Sequence, residues 1–598
     1  MKIMKKIHLL LLSIVLFITS CSDVLDKEPL DIISDAAVWS DPSLIDSYLD
    51  QCYAEMVFAW ETRQGTEGRG GPGYYAWFDQ TEMLTIADEA RPGWVGGPKS
   101  HWISAAGGIE EYWAYPTIRK LNVLIAQLEP MELEPAYKAE RLAEGRYLRA
   151  HAYFNIVKRY GGVPLITKEQ QLDDPEEELY PARNKEAEIY DFIISELDAI
   201  NEDLVGSDSG RATKWAALAL KSRAAMYAGS IATWGNVQLD GLVGIPAGMA
   251  NQYWQASYDA SKEIITTGGF TLYNATPGDK TANFRNLFLD EGNSEVIFSE
   301  QFDGLSGKGH SLDMWNNPRA RHVWNAGQQT AVLLEMAESF DYLDGSSGII
   351  DRTKIGSGYK WTVDELFGNK DPRFNASVYH QGTPWSNGGA LDYHRGIITP
   401  TGWITAGAYK GVLAVNPSAA SPTPFGMLKY LDEAERASVM ERRHSDTDYI
   451  VFRLGEVLLN YAEAAIELGR DADATSAINQ LRTRAGMPTF TSVDRDIVRK
   501  ERKVELAFEG NRYWDLRRWR TAATVLSTAY SGLQLVLDGD SFTEGAYDVN
   551  TAKYQLIVVP NIEGIPAPYF DASKHYYLPI GLGRTGANAN LVPNPGYQ

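Results

Sequence analysis

The stretch RYLRAHAYFNIVKRYGGVPL, residues 146–165, decides the fold class. Helical periodicity runs from Ala139 to Tyr160. It places Arg149, Tyr153 and Phe154 close together around one helix, as packing residues. Gly161-Gly162-Val163-Pro164 then supplies stop chemistry, because glycine leaves a helix at no steric cost and proline cannot continue one.

Working outward, the same periodicity predicts helices near Tyr112–Leu128, Lys185–Leu204, Thr213–Ala228 and Gln252–Thr267. Upstream, Leu44/Ile45, Tyr48/Leu49, Cys52/Tyr53 and Met56 recur every four residues and define one apolar face, with Cys52 a small buried residue on it. A late pair, Arg453–Leu468 and Asp471–Ala485, carries Ala462, Ala464 and Ala477 where two helices approach. Several segments read as helix, turn, helix, which looks like tetratricopeptide packing. Glu295–Phe298 and Tyr576–Ile580 are β-like. Residues 61–102 and 345–425 read as long loops rich in glycine and aromatics, and loops of that length in a compact protein are usually functional or disordered.

Composition narrows the function. The 598 residues are 44% hydrophobic and 22% charged, which excludes disordered, collagen-like and multi-span membrane classes. A net charge of −22 argues against a basic groove for nucleic acid. Two cysteines make no disulfide framework. The 16 Trp, 32 Tyr and 19 Phe exceed what a core needs and point to ring surfaces for a ligand.

Lys2, Lys5 and Lys6 precede an apolar run from Leu9 to Ile18, too short to span a bilayer, which reads as a secretory signal. Ile18-Thr19-Ser20-Cys21 resembles a bacterial lipobox. The resemblance implies removal of residues 1–20 and a lipid on Cys21. The acidic start from Ser22 to Asp26 resembles the export tag of surface lipoproteins.

Enzymatic motifs are present only in appearance. Gly581-Leu582-Gly583-Arg584-Thr585-Gly586 fits a dinucleotide fingerprint, but only twelve residues follow, with no receiving helix and no acidic residue. Residues 304–309 lack the spacing of a phosphate loop. No two of the nine histidines lie four apart, and there is no G-x-S-x-G elbow. The carboxylate pairs Asp88/Glu89, Glu110/Glu111 and Asp446/Asp448 have the residue types of a glycosidase. Adjacent acids in an acidic chain are more often solvated faces or caps. No catalytic residue, metal or cofactor is assigned.

Residues 146–165 resemble the SusD/RagB family of nutrient-uptake lipoproteins. Further blocks agree in the family's order: residues 210–213; Asp371-Pro372-Arg373-Phe374; Asp446 to Ala464; Ile478 to Gly486; Glu501 to Gly510 with Arg512 and Trp514-Asp515-Leu516; Tyr577 to Ile580; and Asn594-Pro595-Gly596-Tyr597. Gly581 and Pro593 depart from the usual pattern. Arg453, Glu456 and Glu463 read as an internal charge network. Arg502, Glu505, Glu509 and Arg512 have the i, i+3/i+4 spacing that stabilises a helix and its neighbours.

The resemblance implies a mainly α fold: a right-handed superhelix of four tetratricopeptide-like helix pairs with a looped, mixed α/β C-terminal elaboration. The expected divisions are a signal over 1–20, an N-terminal region over 21–290 and a C-terminal region over 291–598. It also implies non-catalytic capture of an oligosaccharide at the outer surface of the outer membrane. Capture would be followed by delivery to a SusC-like, TonB-dependent transporter, for which the protein is the lid. Peptide capture, a surface glycosidase and a structural adhesin are the alternatives.

Sugar rings present apolar C–H faces and hydroxyl edges, so flat aromatics and neighbouring amides or acids suit them. Within the loops, and by the family's use of an exposed aromatic arc, Trp94, Trp315 and Trp324 are the expected platforms. Asp88, Arg91 and Asn317 are the expected polar contacts, with Tyr75 and Trp77 beside them. Trp102, Trp385, Tyr393 and Trp403 are further aromatics of the same kind.

Overall fold

The helix that opened the sequence reading spans Pro135–Tyr160. Gly161 ends it at φ +73°, a left-handed geometry that favours glycine. Tyr153 and Phe154 are fully buried, as expected of packing residues. The Tyr153 hydroxyl donates to the Ile166 carbonyl (3.0 Å) and accepts from the Ile166 amide (2.7 Å), fastening the segment after the glycines to the helix. Arg149 reaches Glu196 (2.8 Å) and the Asn122 side chain (2.8 Å).

This computed structural model describes residues 35–58, 82–92, 111–318, 327–386, 389–405, 423–433, 444–541, 547–562 and 569–597. Around Pro135–Tyr160 the helices pack in chain order: Tyr115–Leu128 on one side, then Glu186–Ile200, Lys214–Trp234 and Ala250–Thr267 on the other. The row continues onto Leu454–Glu467, which packs on both Asp471–Ala485 and Arg495–Glu505. Helix packing therefore crosses the expected boundary at 290/291. Lys214–Trp234 runs six residues past its predicted end. There Gly229 lets Trp254 lie against the backbone, where a Cβ would meet the indole at 2.8 Å. No helix among the described residues is long and apolar enough to cross a membrane.

Strands are short and lie mainly in the second half. Val296–Glu300 pairs with Tyr449–Arg453, matching the β-like reading there. Residues 576–580 form no strand. The Leu578 amide instead donates to the carbonyl of Arg159 (2.7 Å), and the Tyr577 hydroxyl to Glu186 (2.8 Å). In the glycine-rich 581–586 stretch Gly581 caps a six-residue helix, Leu582–Ala587, and residues 569–580 before it form no strand.

The charged family blocks form buried ion clusters. Glu505 accepts from Arg453 (2.8 Å), Arg373 (2.9 Å) and Arg484, while Arg453 also holds Glu295 and Glu509 (each 2.8 Å). Glu463 instead pairs with Arg518, and Glu456 with Arg223. The expected single network is thus three. The i, i+4 reading of Arg502 to Arg512 is likewise corrected: the helix Arg495–Glu505 ends before Phe508, which sits at φ +63°. Arg502 pairs with Asp515 (2.8 Å) and Glu509 with Arg453, so their partners come from other elements.

Candidate functional site

A four-stranded antiparallel sheet organises the region where ligand residues were expected. Its order is Ala90–Pro92, Thr330–Val332, Gly426–Met427, Val378–Tyr379. Pro92 is the register partner of Thr330. Pro92 and Thr330 therefore lie at the same end of this sheet. Tyr75, Trp77, Trp94 and Trp324, like Cys21, lie outside the described residues.

The short helix Leu312–Asn316 is stitched to that end by backbone. The Gln329 amide donates to the Trp315 carbonyl (3.0 Å), the Gln328 amide to the Asn317 carbonyl (2.9 Å), and the Thr330 amide to the Asn316 side chain (3.0 Å). Trp315 is only 4% exposed and packs on Met314, apart from the main core. That corrects the expectation of an exposed platform: the helix turns its ring inward, and periodicity is too short over five residues to show it. Asn317 is also buried, and its Oδ1 has no hydrogen-bond partner among the described residues.

Asp88 and Arg91 are corrected in the same way. Asp88 is buried, and both carboxylate oxygens are used by Arg512 (2.7 and 3.0 Å), with Lys503 at 2.9 Å. Burial alone would raise its pKa, but these two cations hold the carboxyl well below the usual range. Arg91 donates to the carbonyls of Thr85 (3.3 Å) and Ala90 (2.8 Å) and lies over the Tyr530 ring. Both residues anchor the first strand of the sheet instead of facing a ligand.

Beside the sheet, Tyr379, Trp385, Leu391, Tyr393, Leu428 and Leu431 form a second apolar cluster. Tyr379 and Tyr393 stack with an interplanar angle of 13°, and Trp385 meets Tyr379 edge-on at 5.8 Å. Gly426 is required here, because a Cβ would run into the Tyr379 ring. The Tyr379 hydroxyl donates to the Asn316 carbonyl (3.0 Å), joining this cluster to the Trp315 helix. Trp385 Nε1 and Gln328 Oε1 are buried without partners among the described residues. Gln328 holds φ +59° and spends its amide nitrogen on the carbonyls of Thr423 and Phe425. Sequence reading missed Gln328 and Tyr379. Each has a role set by a neighbour distant in the chain, so no local signal marked it.

The arrangement gathers indoles, phenols and amides, and Asn317 Oδ1, Gln328 Oε1 and Trp385 Nε1 are among its buried polar atoms without a partner among the described residues. That chemistry suits hydroxyl-bearing rings. Of the paired carboxylates, Glu111 pairs with Arg584, Asp446 accepts from the Gly304 amide, and Asp448 from the Phe302 amide (3.0 Å). Burial, with Glu291 nearby, pushes Asp448 up to about 7. Among the described residues no group of three His, Cys, Asp or Glu side chains is placed to hold a metal.

The fold is thus a mainly helical scaffold carrying small sheets, one of them at the region where ligand residues were expected. Residues 294–597 match the SusD family, and residues 88–226 match a family described as starch-binding and associating with the outer membrane. The chain belongs to the SusD family. A SusD-like protein of Bacteroides ovatus is 25% identical, over 86% of this chain and 83% of its own. SusD-like protein P2 of Formosa agariphila is 24% identical, over 99% and 100%. Among solved structures, a SusD-like protein of Bacteroides fragilis superposes with a TM-score of 0.70 at 23% identity, covering 96% of this chain and all of that one. A SusD-like carbohydrate-binding protein from the same species gives 0.67 at 23%, covering 93% and 100%.

Proposed function

We propose that this protein is a non-catalytic, lipid-anchored capture protein for an oligosaccharide. It passes its ligand to a SusC-like, TonB-dependent transporter in the outer membrane and serves as that transporter's lid. Cys21 carries the lipid, and the helix pairs form the tetratricopeptide-like superhelix that the transporter holds. The reading is supported by family membership and by structural neighbours named as carbohydrate-binding or laminarin-binding. The observation that carries it is the sheet end where Pro92 meets Thr330, joined there by Asn317 and Gln328, whose buried side-chain oxygens have no partner among the described residues. Trp94 and Trp324 are the stacking platforms in this reading, and Tyr75 and Trp77 are further ligand aromatics.

The test is calorimetry of the soluble chain beginning at Ser22 with laminarin and starch oligosaccharides. Trp94→Ala and Trp324→Ala should each lose on the order of 1–3 kcal/mol of binding, about one to two decades in Kd, with unchanged melting. Binding of peptides but of no glycan would move the protein to the peptide-capturing branch. Turnover of any glycan would overturn the non-catalytic reading.

A further inference from the structure

A concavity lies where the start of helix Tyr115–Leu128 faces the segment after Pro164 and the C-terminal tail. It holds about 450 Å³, in the range of ligand pockets. Its walls are mainly apolar: Trp113, Tyr115, Pro164, Ile166, Leu179 and Leu591. The tail wall is fixed, because Arg183 donates to the Val592 carbonyl (2.6 Å) and to Asn594 (2.8 Å).

The polar side chains of the groove are already engaged. Asn122 donates to the Ile166 and Lys168 carbonyls and accepts from Arg149. Arg119 is held by the Gln170 carbonyl (2.6 Å) and Glu169 (3.1 Å), and Lys168 by Glu178. Asn588 donates to the Pro181 carbonyl (3.0 Å) and accepts from the Asn590 amide (2.9 Å). A hydroxyl-rich sugar needs donors and acceptors along the walls of its site, and here the charged donors are confined to the exposed side chains of Arg119 and Lys168. An apolar side chain needs none.

Two features of the lip define the rest of the occupant. Large apolar side chains stand in solvent around the opening: Leu172 is 100% exposed, and Tyr180, Leu582 and Val592 lie between 40% and 58%. Each lies within two residues of a lining residue or of Arg584, which stacks on Trp113. Such a cluster marks an interaction surface more often than scattered exposure does. The lip is also strongly acidic, with six Asp or Glu and one Lys over residues 168–178. Asp173, Glu176 and Glu177 are exposed and form no ion pair among the described residues. The chain's own leading segment, 22–34, has four acids and one lysine, so its charge opposes docking there.

We propose that this groove docks a partner protein through a segment that presents an apolar side chain flanked by lysine or arginine. The apolar side chain fills the space over Tyr115 and Ile166, and the cations meet Asp173, Glu176 and Glu177. The site is separate from the sheet region proposed for glycan, and neither reading depends on the other.

The probe is the fluorescein-labelled peptide Lys-Leu-Pro-Leu-Lys with a C-terminal amide, titrated by anisotropy with the soluble chain beginning at Ser22. Its twin has glutamate in place of both lysines. The basic peptide should bind at least tenfold tighter than the twin and weaken in 0.5 M salt. Glu176→Lys with Glu177→Lys should cost tenfold, and Leu172→Asp should weaken binding with unchanged melting, since all three side chains are exposed. Absence of binding at millimolar peptide overturns the proposal, as does equal binding of the twin or indifference to the charge reversal. A laminarin oligosaccharide whose affinity falls in Leu172→Asp, with no peptide binding, would make the groove a glycan subsite instead.

Discussion

Replacing Glu89 with glutamine tests the electrostatics beneath the candidate site. Glu89 is 1% exposed; Oε1 accepts from the Phe508 amide (2.8 Å), and Oε2 has no partner among the described residues. Burial pushes its carboxyl up to about 7, from an ordinary value of 4.5, and the neighbouring Asp88 charge adds to the shift. Between 4.5 and 7 the unfolded chain gives up this proton while the folded chain keeps it. Stability therefore falls as pH rises through that window. At about 1.4 kcal/mol per pH unit, the full penalty above pH 7 is roughly 3 kcal/mol. Glutamine cannot ionise, yet its carbonyl still accepts from Phe508. Urea unfolding of both proteins from pH 4.5 to 8, followed by tryptophan fluorescence, gives the difference directly. Glu89→Gln should gain about 3 kcal/mol relative to wild type across the series, with a constant offset from its added amide nitrogen. A difference that is flat with pH would refute the assignment of a protonated, buried Glu89.

Glu505→Gln should cost about 3–5 kcal/mol at pH 7, because Arg373, Arg453 and Arg484 lose their shared charge in the interior. Those arginines hold the Glu505 pKa far below 4.5 against the effect of burial, so its contribution is present above pH 4.5 and is lost as the solution is acidified; urea unfolding at pH 7 and pH 3 should show a smaller difference at the lower pH. Tyr153→Ala should also cost about 3–5 kcal/mol through lost burial and a cavity, and a lowered melting temperature with retained glycan affinity is the expected pair of results. Cys21→Ala should move the protein from the membrane to the soluble fraction; retention in membranes lacking the transporter would refute lipid attachment at that residue.

Sequence periodicity by itself placed most of the long helices. Pro135–Tyr160, Ala250–Thr267 and Asp471–Ala485 lie within four residues of their predicted ends, because a repeating apolar face and a glycine stop are local signals. Ordered blocks from residue 146 to 597 were enough to place the chain in its family. Tertiary structure alone decided what the polar residues do. Asp88 meets Arg512 across 424 positions, and Glu89 meets Phe508 across 419, so nothing near either acid in the chain revealed its partner. Trp315 illustrates the same limit: its asparagine-rich surroundings suggested exposure, but it lies in a one-turn helix held by the Gln328 and Gln329 amides, and its ring is buried. Local sequence fixes backbone conformation through short-range sterics and capping. Burial and charge pairing depend on which distant segments the fold brings together.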